Sequence, residues 1–353
     1  MKFLQMGLIA ILMAKSVNAL ALPPSLQTFT ENGPFPPEAD NPANWAHVPG
    51  GVSVHPSCHH NIPAGSSVDG NGNVRDASGG LIGILPTCKY NLAWTNIDGT
   101  MPAPGVGATA NVVTPGTDVG WVEDIWAAAL QFGGFQGFNL VTGTLTVPPA
   151  PAIYESQVIF IFNSLSSFNR STGEIFQPVL QYGNNCTSNC NIFNQGTGGM
   201  YWQVSNWAVG QLFGSIQDTP QRVSAGDTLQ LTVQGATHTT YFSSWSDSTK
   251  SISNSLAISL TGNWQNVQFN TAQPAVLEAY NISQCGDYPA YGSHQIVQFR
   301  NAWIEQANWN WTAFEVINPP WLGQVRASSG PACGWGTWQS PSGATETALL
   351  LGN

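Results

Sequence analysis

Charged residues are scarce in this chain of 353 residues, and their scarcity excludes several classes of protein. Only 8% of the residues are charged, and 19 acidic residues outnumber 9 basic ones, which gives a formal net charge of −10 at pH 7. Nucleic acids and anionic membrane surfaces are bound through clustered Lys and Arg side chains. We therefore expect neither a nucleic-acid partner nor a membrane partner. With few ion pairs to lose when carboxylates protonate, the composition also favours stability in acid.

Long apolar runs and helical periodicity are lacking as well. Beyond the N-terminal segment, no hydrophobic run is long enough to cross a bilayer as a helix. The best helical candidate, Val122 to Phe132, spans only about three turns. These absences argue against a membrane-spanning protein and against a helical fold.

The N-terminal segment has the pattern of a secretory signal peptide. Lys2 precedes an apolar stretch from Met6 to Met13, and Val17-Asn18-Ala19 is a small-x-small cleavage pattern. We predict a signal peptide over residues 1–19 and a secreted, extracellular protein. Cleavage removes Lys2 and Lys15, so the remaining charge is 7 − 19 = −12.

Turn-forming residues are abundant, with 37 Gly and 24 Pro, and short strand-like segments lie between them. Residues 141–147 alternate apolar and polar side chains and end at two prolines, which is typical of a strand with a defined end. Similar segments occur at 158–162, 175–183, 201–209, 228–233, 239–245, 256–260, 276–280 and 296–304. About ten strands joined by short turns predict an all-β fold, an antiparallel β-sandwich of two sheets.

The texture of the chain predicts its division into segments. Residues 20–120 are rich in Pro and Gly, with weak strand signals near 51–54 and 81–85, and we interpret them as a pro-segment or a lead-in. Residues 121–320 form the predicted sandwich domain, and residues 321–353 a C-terminal extension.

Six cysteines in an exported chain indicate disulfides. Six cysteines allow fifteen pairings, and proximity along the chain suggests Cys58–Cys88, Cys186–Cys190 and Cys285–Cys333. Four N-glycosylation sequons begin at Asn169, Asn185, Asn281 and Asn310.

Two strand-like segments carry the candidate chemistry. In a strand, side chains at i, i+2 and i+4 share a face, so Gln177 and Gln181 lie on one face of the first segment. In the second segment Glu278 and Tyr280 share a face. A carboxylate in an apolar strand needs hydrogen-bond partners or takes up a proton, and either outcome suits acid–base chemistry. A solvent-facing carboxylate on a half-buried strand is the commoner alternative.

Several of these segments resemble those of the glutamic peptidases (eqolisins) and their fungal relatives. The similar region spans residues 134–303, and the matching segments are Thr142 to Pro148, Ile175-Phe176-Gln177, Val223 to Thr228 and Val276-Leu277-Glu278. The resemblance implies a concanavalin-A-like jelly roll and a secreted acid endopeptidase that is a monomer, acts on polypeptides and needs no cofactor or metal.

The same resemblance implies a dyad of one Gln and one Glu. Glu278 would be the general base and then the general acid, and the Gln amide would stabilise the oxyanion. Gln177 is the favoured glutamine, with Gln181 as its rival. Trp202, Trp207 and Tyr280 are candidates for substrate binding, although core packing is the alternative for the two tryptophans.

The chain also departs from the family pattern. Residues 160–165 replace a Trp-Val-Gly-Ile-Asp-Gly-like strand, and Gln203 and Asn206 stand where the corresponding segment carries a glutamate. A fold relative without peptidase activity, such as a carbohydrate-binding or cell-wall protein, is therefore the alternative function.

Other chemistries have weaker support. His47, His55, His59 and His60 lie near Cys58, but adjacent histidines on an irregular segment seldom converge on one metal ion. His238 and His294 have no Gly-x-Ser-x-Gly elbow nearby. Glu123 and Asp124 are adjacent and face opposite ways, which disfavours a glycosidase pair.

Overall fold

The computed structural model describes most of the sandwich. The described residues are 37–41, 44–94, 120–127, 135–167, 174–186, 196–289 and 295–308, with short strands at 27–28, 314–317, 322–325, 335–339 and 347–351. No helix in this part of the chain has the length and apolar character that a membrane crossing requires.

Strands from the N-terminal third of the chain are short. They are β1 Gln27–Thr28, β2 Ala46–Val48, β3 Val52–Val54, β4 His59–Ile62, β5 Ser67–Asp69, β6 Asn73–Arg75, β7 Leu81–Ile84, β8 Ala93–Trp94 and β9 Gly120–Ala127. Short 3-10 helices lie at Pro37–Asp40, Pro56–Cys58, Gly262–Trp264 and Cys285–Asp287.

The remaining strands follow β9, and most of them are longer. They are β10 Phe135–Thr146, β11 Val158–Ser166, β12 Ile175–Tyr182, β13 Trp202–Gly210, β14 Gly214–Asp218, β15 Gln221–Arg222, β16 Thr228–Thr237, β17 Thr240–Asp247, β18 Ile252–Ser259, β19 Thr271–Tyr280, β20 Gln295–Asn308, β21 Phe314–Ile317, β22 Leu322–Val325, β23 Trp335–Gln339 and β24 Thr347–Leu351. The strands predicted from the sequence are therefore confirmed. The best helical candidate, Val122 to Phe132, is not helical over its described residues, because 120–127 form β9.

The strands form two large sheets and one small one. The twelve-stranded sheet has the order β1-β7-β6-β5-β18-β17-β16-β10-β20-β24-β23, with β21 on β20. The nine-stranded sheet has the order β22-β9-β19-β11-β12-β13-β14-β4, with β15 on β13, and β2-β3-β8 form the third sheet. Pairing is antiparallel except for three parallel pairs, each of which involves a strand within residues 27–94.

A core between the two large sheets confirms the β-sandwich. One cluster joins Phe138 and Val141 of the twelve-stranded sheet to Leu165 and Phe176 of the nine-stranded sheet. A second joins side chains such as Leu231 and Leu277 in the same way. Apolar side chains from facing sheets interdigitate in this manner in β-sandwiches.

The two sheets differ in how their outer faces are covered. In β16 burial alternates along the strand, as expected when one face meets solvent. In β11, β12, β13 and β19, by contrast, every residue is buried. The nine-stranded sheet is therefore covered on both faces, and residues 46–54 supply part of its outer cover.

One disulfide links two cysteines within the N-terminal third of the chain. The predicted Cys58–Cys88 bond is confirmed. Cys186 and Cys285 are also disulfide-bonded. Cys190 and Cys333 lie outside the described residues, so those two pairings stay predictions.

Candidate functional site

Strand pairing brings the predicted polar residues to one row of the nine-stranded sheet. Phe160 of β11 lies opposite Glu278 of β19 on one side and opposite Gln181 of β12 on the other. Gln181 in turn lies opposite Gln203 of β13. Residues directly opposite in an antiparallel pair share a face, so all four lie on the outer face, where Phe160 packs with side chains of residues 46–54. The aromatic ring of Phe160 occupies the row between Gln181 and Glu278.

Glu278 is fully buried, and its carboxylate accepts hydrogen bonds from the backbone of a distant segment. Gly50 N donates to Oε2 at 2.8 Å, and Gly51 N donates to Oε1 at 3.0 Å. The hydroxyl of Tyr280 donates to the same Oε1. Donors of this kind favour the charged form of a carboxylate and fix its orientation.

Gln177 contacts the same segment from the other side. Its Nε2 donates to the carbonyl oxygen of Pro49 at 2.7 Å. Gln177 is fully buried, and its Oε1 has no hydrogen-bond partner among the described residues. Pro49 C=O and Gly50 N–H belong to one peptide group. Gln177 and Glu278 therefore bind the two polar ends of a single peptide bond.

The rival glutamine has a different role. Gln181 Nε2 donates to the carbonyl oxygens of Gly183 and Thr197, at 2.9 and 2.7 Å. These bonds hold the chain that follows β12. Gln181 shares a row with Glu278, but the described contacts give only Gln177 a common ligand with Glu278.

The segment that meets the pair is the turn of a β-hairpin, which we call the covering hairpin (Ala46–Val54). Its strands β2 and β3 pair with Val48 opposite Val52. Ala46, Val48, Val52 and Val54 pack on the outer face of the nine-stranded sheet together with Phe160, Val179, Trp207, Val276 and Tyr280. Burial of these apolar side chains holds the hairpin over the site.

Glycine is required at the turn of the covering hairpin. Gly50 and Gly51 have φ values of +116° and +76°. Consecutive residues of this kind direct their N–H groups into one concavity, which binds an anion. A Cβ atom on Gly50 would lie 2.6 Å from Cδ1 of Ile175. The turn therefore places two N–H groups on Glu278, and a side chain at Gly50 would be strained by the positive φ and would displace Ile175.

The predicted aromatic residues separate into two sets. Tyr280 and Trp207 lie on the outer face under the N-terminal segment. Trp202 lies opposite Tyr182, packs against its ring at a centroid distance of 5.1 Å, and belongs to the core between the sheets. Trp202 is therefore remote from the face that carries Glu278, in agreement with its core-packing alternative.

The histidines of the N-terminal segment pack separately. His47 stacks on Tyr280 with ring centroids 4.1 Å apart, and His59 stacks on Trp207 at 5.5 Å. His55 stacks on Tyr90 at 3.7 Å. Within the described residues, no group of three or more His, Cys, Asp and Glu side chains is placed to hold a metal ion.

Desolvation keeps three of these histidines neutral, of which His59 and His60 are buried and His47 is half-buried. Desolvation lowers the pKa of His47 to about 4 and that of His60 to about 4. Desolvation, together with the neighbouring His60, lowers the pKa of His59 to about 3. These imidazoles are therefore uncharged in the folded chain at neutral pH, and acid acts against their burial.

Two further buried carboxyl groups were missed by sequence reasoning. Burial raises the pKa of Glu174 to about 8, and Trp264 Nε1 donates to its Oε1 at 2.9 Å. Burial raises the pKa of Asp218 to about 7, and Asp218 accepts from Asn206. Asn206 thus lies on the inner face, whereas Gln203 lies on the outer face. No pattern in the sequence around Glu174 or Asp218 predicts that its side chain is buried.

The described sequons differ in exposure. Asn185 is fully buried, and its Oδ1 accepts a hydrogen bond from Thr197 N at 2.7 Å, so a glycan there does not fit the folded chain. Asn281 is half-buried at the end of β19. Asn169 and Asn310 lie outside the described residues. Glycosylation stays a prediction for the other three sequons.

Comparisons with known proteins give a distant similarity. No protein-family model and no curated protein matches the chain. Scytalido-glutamic peptidase, solved with a peptide-based transition-state analog, is 13% identical with a TM-score of 0.39, over 65% of this chain and 97% of that one. SCP-B, a member of the eqolisin family solved with the tripeptide Ala-Ile-His, is 12% identical with a TM-score of 0.38, over 65% and 96%. These low values indicate only a distant similarity in fold and assign no activity to this chain.

Proposed function

We propose that this protein hydrolyses peptide bonds in acid, with Gln177 and Glu278 as its catalytic pair. One observation carries the proposal: the two side chains bind the C=O and the N–H of the same peptide group, Pro49–Gly50. Hydrolysis is accelerated when the reacting peptide group is held beside the catalytic residues, and these two contacts hold one peptide group against both side chains. The Pro49–Gly50 peptide group of the covering hairpin is thus an example, within the chain itself, of the peptide group that the pair would bind.

The roles of the two residues follow from their chemistry. Glu278 would remove a proton from a water molecule as the water attacks the carbonyl carbon, and would then return that proton to the leaving amine. The Gln177 amide N–H would stabilise the oxyanion, because it already donates to a peptide oxygen at 2.7 Å. Tyr280 would hold Oε1 of Glu278 and leave Oε2 toward the substrate.

The described conformation is a covered state of this site. Both carboxylate oxygens accept hydrogen bonds from the covering hairpin, and the Glu278 side chain is fully buried. The turn at Gly50 and Gly51 has positive φ values, whereas a peptide substrate is held extended. The covering hairpin therefore occupies the site without being cleaved, and it must move before a substrate can bind to Gln177 and Glu278.

The wider proposal is a secreted, monomeric acid endopeptidase that acts on polypeptides without a cofactor. Its support is the signal-like N-terminus, the disulfide Cys58–Cys88 and the low content of charged residues. Few ion pairs means little stability lost as carboxylates protonate.

The test is hydrolysis of casein from pH 2 to 7, with a metal chelator and an inhibitor of aspartic proteases present. Glu278→Gln should abolish hydrolysis, whereas Glu174→Gln, an equal change at another buried carboxyl group, should retain it. Gln177→Leu should lose at least about 100-fold in rate, and Gln181→Leu should keep its rate if the protein remains folded. Equal rates for the native chain and Glu278→Gln would refute the proposal.

Absence of turnover at every pH, with retention on a polysaccharide matrix, would favour the carbohydrate-binding alternative. Among the residues whose exposure the structure describes, Trp303 and Phe242 are aromatic and 40% and 37% exposed on the twelve-stranded sheet, so they are candidates for stacking on a sugar.

A further inference from the structure

The outer face of the twelve-stranded sheet carries a row of polar side chains that ends at a tryptophan. Trp303 of β20 lies opposite Thr142 of β10, and Thr142 lies opposite Thr232 of β16. The row continues through Ser244 of β17 to Ser255 of β18. Residues directly opposite in an antiparallel pair share a face, so five adjacent strands present this row on one side of the sheet.

This face meets solvent. In β16 the side chains of Gln230, Thr232 and Gln234 are exposed or half-buried, whereas the residues between them are buried in the core. Phe242 of β17 lies opposite Gln234, so its exposed ring and that of Trp303 lie on the same face. Two aromatic rings are therefore presented to solvent among hydroxyl and amide groups.

The face carries almost no charge. Among the residues that form β10, β16, β17 and β18, Asp247 is the only charged one, and its side chain is buried. On the bordering strand β20, Arg300 donates to Oε1 of Gln298 at 3.1 and 3.2 Å, and Asn139 donates to Oε2 of Glu305 at 3.2 Å. A nucleic acid or an anionic membrane requires clustered cationic groups, which these strands lack. A partner that fits this face is uncharged and polar.

We propose that the outer face of β18, β17, β16, β10 and β20 binds an uncharged polysaccharide chain. A sugar ring has an apolar face that stacks on aromatic side chains, and it has hydroxyl groups that pair with hydroxyl and amide groups. Trp303 and Phe242 provide the rings, and Thr232, Gln234 and Ser244 provide the polar groups. The inference goes beyond the proposed function and does not depend on it.

The distance between the two rings indicates a chain of sugars. Phe242 and Trp303 lie on strands that are three strand spacings apart, or about 14 Å. They also lie in neighbouring rows, because Phe242 is opposite Gln234 and Trp303 shares the row of Thr232. One sugar ring does not reach both side chains. The ligand is therefore a polymer that crosses the strands.

The polysaccharide face and the Gln177–Glu278 pair lie on opposite sides of the sandwich. The pair lies on the outer face of the nine-stranded sheet, beneath the covering hairpin. The core separates that sheet from the twelve-stranded sheet. A polysaccharide bound to the twelve-stranded sheet does not cover the pair, so binding and hydrolysis can be measured separately.

Depletion of the full chain from solution by microcrystalline cellulose and by chitin tests the inference. The native chain should bind at least one of the two polymers, and the binding should persist at high salt. Soluble oligosaccharides of that polymer should compete, whereas its monosaccharide should not. Trp303→Ala and Phe242→Ala should each weaken binding at least about tenfold. Met200→Ala is the control, because Met200 is 67% exposed beside β13 of the other sheet, and this variant should bind like the native chain.

Failure of both polymers to deplete the native chain would overturn the inference, as would equal binding by the native chain and both aromatic variants. Sedimentation of the native chain as a dimer that Trp303→Ala abolishes would assign the face to a second copy of the chain, and would overturn it too. Glu278→Gln should bind the polymer like the native chain. Depletion without casein hydrolysis at any pH would refute the proposed function and leave the polysaccharide face standing, and hydrolysis without depletion would do the reverse.

Discussion

Substitution of Gly50 by alanine should free the site without any change to Gln177 or Glu278. Gly50 has φ +116°, and a Cβ atom there would lie 2.6 Å from Cδ1 of Ile175. The backbone conformation costs an L-residue about 1 to 3 kcal/mol, and the terminal methyl group of Ile175 must also move aside. A cost of about 2 kcal/mol shifts the equilibrium of the hairpin toward the open state by about 30-fold.

The control is Gly226→Ala in the turn before β16. Gly226 has φ +90°, and a Cβ atom there meets nothing within 4 Å. This variant carries the backbone cost without the clash and without a hairpin to release. Hydrogen exchange of residues 46–54 at pH 7, together with casein hydrolysis at pH 6, should separate the two variants. Gly50→Ala should lose protection and gain activity, and Gly226→Ala should match the native chain in both.

The result that would refute this reasoning is full protection of 46–54 in Gly50→Ala. The turn would then tolerate the alanine side chain, and the added methyl group would not displace the covering hairpin from the sheet. If protection of 46–54 is lost with no gain in hydrolysis, the result would support the covering role of the hairpin. It would count against catalysis by Gln177 and Glu278.

Three further predictions concern residues around the site and the scaffold. Tyr280→Phe removes an O–H donor to the Glu278 carboxylate, so the acid limb of the rate–pH profile should move to higher pH by about one unit. If the acid limb does not move, Tyr280 does not position the Glu278 carboxylate. Burial raises the pKa of Glu174 to about 8, so the folded chain keeps a proton that the unfolded chain releases, and stability is lost as the pH rises from 4.5 to 8. Glu174→Gln should reduce that loss by about 3 to 5 kcal/mol in guanidinium titrations; an unchanged slope would contradict the burial. Replacing Cys58 and Cys88 by serine should cost about 3 kcal/mol in the same titrations, since the bond closes a loop of about 30 residues.

Local patterns were sufficient to predict the strands of the sandwich. Alternation in residues 228–233 and the continuous apolar run at 158–162 correspond to a strand with one exposed face and a strand with both faces buried. The period of two also placed Glu278 and Tyr280 on one face. These predictions succeeded because each depends on residues that are close in sequence.

Contacts between distant segments were not predictable in the same way. The two backbone donors to Glu278 are 227 and 228 residues away in sequence, in a segment whose sequence indicated turns and a weak strand but no contact with Glu278. The choice between Gln177 and Gln181 depended on where the turn at 49–51 lies, which is a matter of tertiary packing. Val122 to Phe132 was the best helical candidate because a short apolar run fits a helix and a buried strand equally well, and pairing with β19 and β22 makes its described residues a strand.

The hydrogen bonds of Gln177 and Gln181 show which contact separates the two glutamines. Glu278 accepts from three donors, as a structural carboxylate would. Oε1 of Gln177 and Oε1 of Gln181 both have no hydrogen-bond partner among the described residues, so an unpaired amide oxygen does not separate them. The difference is the common ligand: Gln177 donates to the carbonyl oxygen of Pro49, and the N–H of the same peptide group donates to Glu278, whereas Gln181 donates to Gly183 and Thr197. Hydrolysis by the Gln177→Leu and Gln181→Leu variants is therefore the measurement that separates a catalytic pair from a carboxylate that serves stability alone.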